Sequence, residues 1–113
     1  MHELSIVMSI VDIAEQQVRQ AGARRVESIE LDIGDLAGIE PDALDFAWEA
    51  AVKDTVLATA RREINHIPGQ ARCGDCGRTY TIAHHYDPCP HCGNLLHQLL
   101  SGRELRVKAL TVS

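Results

Sequence analysis

Four cysteines in a chain of 113 residues stand as two pairs, Cys73-x-x-Cys76 and Cys89-x-x-Cys92, with twelve residues between the pairs. A two-residue spacer lets both sulfurs of a pair reach one ion, and two pairs complete the tetrahedron that zinc prefers. Each pair is followed by glycine, Gly77 and Gly93, which permits a tight turn that brings backbone amides toward sulfur. Four thiolates fill the coordination sphere and leave no open position for catalysis. The metal is therefore expected to be structural, its binding free energy serving as folding free energy. A redox CxxC motif ordinarily stands alone at a helix start. A rubredoxin-type iron centre uses the same ligands; zinc is the commoner occupant.

The second concentration of donor atoms is the opening MHELS. A retained Met1 offers a free amine, His2 an amide and an imidazole, and Glu3 an amide and a carboxylate. Consecutive nitrogens close small chelate rings around one ion, and square-planar nitrogen sets suit Ni(II) or Cu(II) rather than zinc. A plainer role exists for Glu3 as a helix-start carboxylate, a small favourable effect at the positive end of the helix dipole. His84, His85, His91 and His97 lie in or beside the cysteine segment. They read as exposed polar residues of small loops, or one of them approaches the zinc or a neighbouring metal, or senses pH near neutrality. His66 reads as an exposed or structural histidine in a strand.

These groups need elements to hold them. From Leu4 to Ala21 the apolar residues Leu4, Val7, Met8, Val11, Ala14, Val18 and Ala21 recur at steps of three and four, one face of a helix that Gly22 ends. Ile29, Leu31 and Ile33 alternate with Glu30 and Asp32, the pattern of a half-buried strand. Pro41 and Asp42 open a second helix whose inward face is Leu44, Ala47, Trp48 and Ala51. TARREINHI reads as an edge strand ended by Pro68-Gly69, and ELRVKALTV as a last strand with a phase shift near Leu110. The last strand cannot stand alone and is expected to return to the first sheet. Asp12, Glu15 and Glu49 read as solvated helix positions. The expected fold is α+β, a small sheet with two helices plus an inserted zinc-ribbon-like module. The expected boundaries are 1–69 plus 103–113 for the first domain and 70–102 for the four-cysteine module.

Net charge is −5 and the arginine pairs are isolated, which argues against nucleic-acid binding. No apolar run is long enough to span a bilayer, and Glu3 and Asp12 interrupt any signal-like stretch. A cytoplasmic location is expected, where thiols stay reduced and bind metal rather than pair. With only four aromatic side chains, Phe46, Trp48, Tyr80 and Tyr86, the core must be mostly aliphatic.

Taken together, MHExS at the start, a Gly-rich turn after the first strand, PxALxFAxE in the second helix and a late CxxC-x12-CxxC resemble the HypA/HybF family. These are nickel metallochaperones of NiFe-hydrogenase maturation. The residues that carry the resemblance are Met1, His2, Glu3, Ser5, Gly34, Pro41, Ala43, Leu44, Phe46, Ala47, Glu49 and the four cysteines. The resemblance implies Ni(II) as transient cargo, bound at the Met1 amine, the His2 imidazole and amide, and Glu3 through amide or side chain. It implies structural Zn(II) at Cys73, Cys76, Cys89 and Cys92. It further implies cooperation with a HypB-type GTPase and delivery to the hydrogenase large-subunit precursor, urease being another target of some members. No GxxxxGK(S/T) phosphate loop is present, so a nucleotide step belongs to a partner. The chain is expected to be no enzyme, and a monomer or weak homodimer. Two other classes compete: a zinc-only docking module for protein or RNA, and a metal-dependent enzyme, for which no nucleophile–base pair or open three-ligand site is visible.

Overall fold

The computed structural model describes residues 2–113. The elements run α1 (Glu3–Gln20), β1 (Val26–Gly34), α2 (Pro41–Ala51), β2 (Arg61–Ile67), β3 (Gln70–Cys73), β4 (Thr79–Thr81), β5 (His97–Ser101) and β6 (Leu105–Val112). They form an α+β fold with two three-stranded sheets, ordered β2-β1-β6 and β4-β3-β5. The last strand does return to the first sheet, beside β1, and β2 is the opposite edge. Two compact units result. One comprises the described residues through Leu31, Ile39–Ile64 and Arg106–Ser113; the other comprises Asp32–Gly38 and Asn65–Leu105.

In the first unit the three-to-four spacing of α1 buries Val7, Ile10, Ala14 and Val18, and α2 buries Leu44, Ala47 and Trp48. Val26, Ile29 and Leu31 of β1 are buried with them. Each large aliphatic side chain so removed from water contributes about 1.5–3 kcal/mol before chain entropy is counted. Arg25 and Ser113 exchange backbone hydrogen bonds, and Lys108 pairs with Glu30 at 3.5 Å, so β6 runs antiparallel to β1. Gly22, with φ of 64°, follows the C-cap residue Ala21 and stops α1 where the sequence puts the stop. α2 ends at Ala51, and the chain turns through Asp54 with φ of 61°.

Two hydrogen bonds fix the direction of the helices. The Glu3 carboxylate accepts the amide of Glu40, just before α2, at 3.2 Å, and the Glu15 carboxylate accepts the amide of Val56, just after it, at 3.4 Å. Both helices therefore run the same way. Glu15 is not the solvated position its place on the helix suggested: it is half-buried and ties down the turn after α2.

Toward the second unit, which begins at Asp32, β1 loses the expected alternation. Leu31 through Gly34 are all buried, Asp32 included at 3% exposure. Asp32 thus does not face water; its Oδ1 accepts a hydrogen bond from Asn65 Nδ2 at 2.9 Å, as burial of a carboxylate requires. Beside it, the Gly34 amide donates to Glu104 and the Leu36 amide to Gly102, both at 2.7 Å. A Cβ at Gly34 would collide with the Gly102 carbonyl, so the backbones cross here only because position 34 has no side chain. The rest of this unit's core is small: Ala71, Cys73, Tyr80, Ile82 and Cys89, with Leu36 and Leu99 against them. Two of those five buried residues are cysteines.

Candidate metal centre

The two cysteine pairs form two knuckles with the same internal bonding. In the first, Cys73 N–H donates to Arg78 O at 2.9 Å and Gly77 N–H to Cys73 O at 3.2 Å. In the second, Cys89 N–H donates to Asn94 O at 3.0 Å and Gly93 N–H to Cys89 O at 2.8 Å. Gly77 and Gly93 take φ of 74° and 76°, the left-handed turn that glycine adopts without steric cost. The first knuckle follows β3 and the second precedes β5, and β3 pairs antiparallel with both β4 and β5. The sheet therefore brings together two sequence-distant turns.

The four sulfurs all lie within 4.8 Å of one another, with Cys73 and Cys92 Sγ 3.4 Å apart and Cys76 and Cys89 Sγ 3.7 Å apart. A zinc–sulfur bond of about 2.3 Å places tetrahedral sulfurs about 3.8 Å apart, so the cluster has the dimensions of a four-cysteine zinc site. Cys73 and Cys89 are buried; Cys76 and Cys92 are exposed at the rim. Backbone amides serve the sulfurs as well: Cys76 and Asp75 donate to Cys73 Sγ, and His91 to Cys89 Sγ, each at 3.4 Å.

These amides have an electrostatic consequence. The Cys76 and Asp75 amides hold the Cys73 thiol down at about 6. The Asn94 amide favours the Cys92 thiolate, but the neighbouring Cys73 sulfur and burial outweigh it and push that thiol up to about 12. Four thiolates this close repel one another unless a cation shares the space. The donor set therefore fits a divalent, thiolate-seeking ion, and zinc would be held by Cys73, Cys76, Cys89 and Cys92.

The histidines divide. His91 is exposed, and its Nδ1 lies 3.2 Å from Arg78 Nη1, a contact from one knuckle to the other. His84 stacks on Tyr86 at 5.6 Å, and its Nδ1 lies 3.4 Å from Asp87 Oδ1. Asp87 Oδ2 also accepts the Ala83 and His84 amides at 2.8 and 2.9 Å; the bond to His84 and then that to Ala83 hold its carboxyl below the usual range. His97 meets the buried Tyr80 edge-on at 6.3 Å, and His85 and His66 are exposed. Among the described residues no histidine joins a cluster of three or more potential metal ligands.

At the other proposed site, Met1 lies outside the described residues. His2 is exposed and is the N-cap residue of α1, with φ −83° and ψ 100°, and its carbonyl accepts the Ile6 amide at 3.3 Å. Its side chain makes no capping bond. The Glu3 carboxylate is held by the Glu40 amide at 3.2 Å, and that bond, then the pull of its own Glu3 amide, draws its pKa below the usual carboxylate range. The sequence reading did not include Glu40. No local signal marks it, because the partners are 37 residues apart.

Comparison with known proteins identifies the family. The family model described as "Hydrogenase/urease nickel incorporation, metallochaperone, hypA" matches residues 1–112. Hydrogenase maturation factor HypA of Geobacter metallireducens is 46% identical over 112 residues, and that of Geotalea uraniireducens 47%, each alignment covering 99% of both chains. The solution structure of the Ni metallochaperone HypA from Helicobacter pylori superimposes with a TM-score of 0.69 at 24% identity, covering 99% of this chain and 97% of the other. That likeness shows the shared fold. Among the described residues no helix is long and apolar enough to cross a membrane. The full-length family match and the whole-chain identities show that this chain belongs to the HypA family, whose description is nickel incorporation into hydrogenase and urease by a metallochaperone.

Proposed function

We propose that the protein carries Ni(II) as cargo at its N-terminus and passes it to the large-subunit precursor of NiFe-hydrogenase, while Zn(II) in the four-cysteine cluster keeps the second unit folded. The observation that carries the zinc part is the four-sulfur cluster within 4.8 Å. For nickel, the supporting feature is where the donors fall on α1. The nitrogens proposed as ligands are the Met1 amine, the His2 amide and imidazole, and the Glu3 amide. His2 is the N-cap and Glu3 the first residue of α1, and amides at these positions are not used by the helical hydrogen-bond ladder. A metal can replace their protons without breaking a turn.

A carrier must also let go. His2 is exposed, so an incoming protein can displace it. Binding requires deprotonated donors, so nickel affinity falls as pH falls and the imidazole and amine take up protons. The chain acts as a carrier rather than a catalyst, in the cytoplasm, with a HypB-type GTPase as its partner for any nucleotide-dependent step. Urease is an alternative recipient, as the family description includes it.

The test is nickel titration, by calorimetry and visible absorption, of the zinc-loaded protein with a native Met1 amine. An otherwise identical chain with one extra residue before Met1 is titrated beside it. A one-to-one site with planar absorption that disappears on extension is expected. Equal binding by both chains would overturn the N-terminal site and leave a zinc-stabilised docking protein.

A further inference from the structure

The N-terminus of α2 has a defect in its own sequence. A helix start is often closed by a reciprocal pair, in which a Glu or Gln at the third helical position reaches back to the N-cap amide. The N-cap of α2 is Glu40, the helix begins at Pro41, and the third position is Ala43. Alanine has no group to return. The Glu40 side chain makes no capping bond of its own. The acceptor comes instead from Glu3 of α1, whose Oε2 takes the Glu40 amide at 3.2 Å.

We infer that the Glu3 carboxylate is a positioning group, which clamps the start of α1 to the start of α2 and so presents the His2–Glu3 backbone in a fixed conformation for the metal. The inference rests on the N-terminal nickel site proposed above and deepens it. Two constraints meet on this dipeptide. The His2 carbonyl is held by the Ile6 amide from within α1. The Glu3 side chain is held by α2. Without the second, the first residues of a helix fray, and a chelate whose donors are backbone nitrogens would lose its preset geometry. The Glu3 amide also bears on this carboxylate; once that amide binds the metal, the carboxylate serves the site only through the Glu40 amide.

The carboxylate and an amide side chain differ in a way that separates positioning from ligation. Glutamine keeps an oxygen that accepts the Glu40 N–H, but it lacks the charge that makes a carboxylate a ligand. Removing the donor gives an independent handle. Glu40 has φ −83° and ψ 118°, values that proline tolerates, so Glu40→Pro deletes the N–H while leaving Glu3 in place. Glu40→Ala keeps the N–H and serves as its control.

The experiment measures nickel affinity of the zinc-loaded, full-length protein and its Glu3→Gln, Glu3→Ala, Glu40→Pro and Glu40→Ala variants, together with hydrogen exchange of the residue 40 amide wherever it is present. Glu3→Gln and Glu40→Ala are expected to match the parent. Glu3→Ala and Glu40→Pro are expected to weaken nickel by about tenfold or more, the usual cost of losing a group that orients a metal ligand. In Glu3→Ala the residue 40 amide should also exchange faster. Equal loss in Glu3→Gln and Glu3→Ala would overturn the proposal in favour of direct carboxylate ligation. Unchanged affinity in Glu3→Ala, with binding still abolished by N-terminal extension, would overturn positioning while keeping the site. Affinity indifferent to extension would overturn both.

Discussion

The four-cysteine cluster and the N-terminal segment proposed to carry nickel are opposite in construction. At the cluster, two knuckles of the same design supply four sulfurs and backbone amides to them, two of the cysteines are buried, and β3 joins the two turns. In the N-terminal segment His2 is exposed, and the Glu3 carboxylate accepts the Glu40 amide. A site whose four ligands fill the coordination sphere retains its ion and lends its binding energy to folding. A site at a helix start, with donors that no ladder uses, exchanges its ion without disturbing the core. The difference teaches that retention is built from redundancy of support and release from its scarcity.

The comparison breaks most severely at the cluster. Cys89→Ser removes a buried sulfur of the cluster; structural zinc contributes on the order of 10–16 kcal/mol in small zinc-dependent folds, a magnitude comparable to a domain's whole net stability of about 5–15 kcal/mol. The expected outcome is loss of stoichiometric zinc and rapid amide exchange throughout β3, β4 and β5. A variant that keeps both zinc and protection would show that the cluster does not hold this unit together.

A second, smaller effect sharpens the contrast from the other side. His2→Ala should abolish stoichiometric nickel loading while leaving zinc content and the thermal midpoint at the parent's values, because His2 is exposed and its side chain caps nothing. Elemental analysis beside a melting curve checks both at once. A fall in midpoint as large as that caused by chelating zinc would show that the two sites are not independent.

The smallest effect is the pH dependence of the Glu3 clamp. The folded-state pKa of Glu3 is lowered, chiefly by the Glu40 amide. A depressed carboxylate contributes stability that is present above its unfolded value of about 4.3 and disappears as pH falls through the lowered folded value. The difference in thermal midpoint between the parent and Glu3→Ala should therefore be present at pH 7 and shrink below about pH 4. A difference that grows on acidification would mean that the clamp is not made by the ionised carboxylate.

Much of this molecule is legible from its residues. The spacing of Val7, Ile10, Ala14 and Val18 announces α1, and Pro41 marks the start of α2, because helical periodicity and first-turn preferences are properties of short stretches. Cys73, Cys76, Cys89 and Cys92 are readable as one site because zinc ligation fixes their number and spacing. The illegible part is consistent in kind. Asp32 looked like the polar side of an alternating strand and is buried against Asn65, 33 residues away. Glu15 looked solvated and holds the Val56 amide, 41 residues away. In each case the sequence shows a charged residue on an amphipathic element but not the partner that the fold brings to it.

The sequence by itself thus determined the ligand chemistry of the metal cluster, the α+β character and most of the elements, since these follow from local periodicity and from the valence of the donor groups. Only the tertiary structure decided that Glu3 serves the start of the second helix, that Asp32 is buried, and that Gly34 is small because the Gly102 carbonyl crosses over it. Those facts depend on groups far apart in the chain meeting within about 3 Å, and no short-range preference specifies such a meeting.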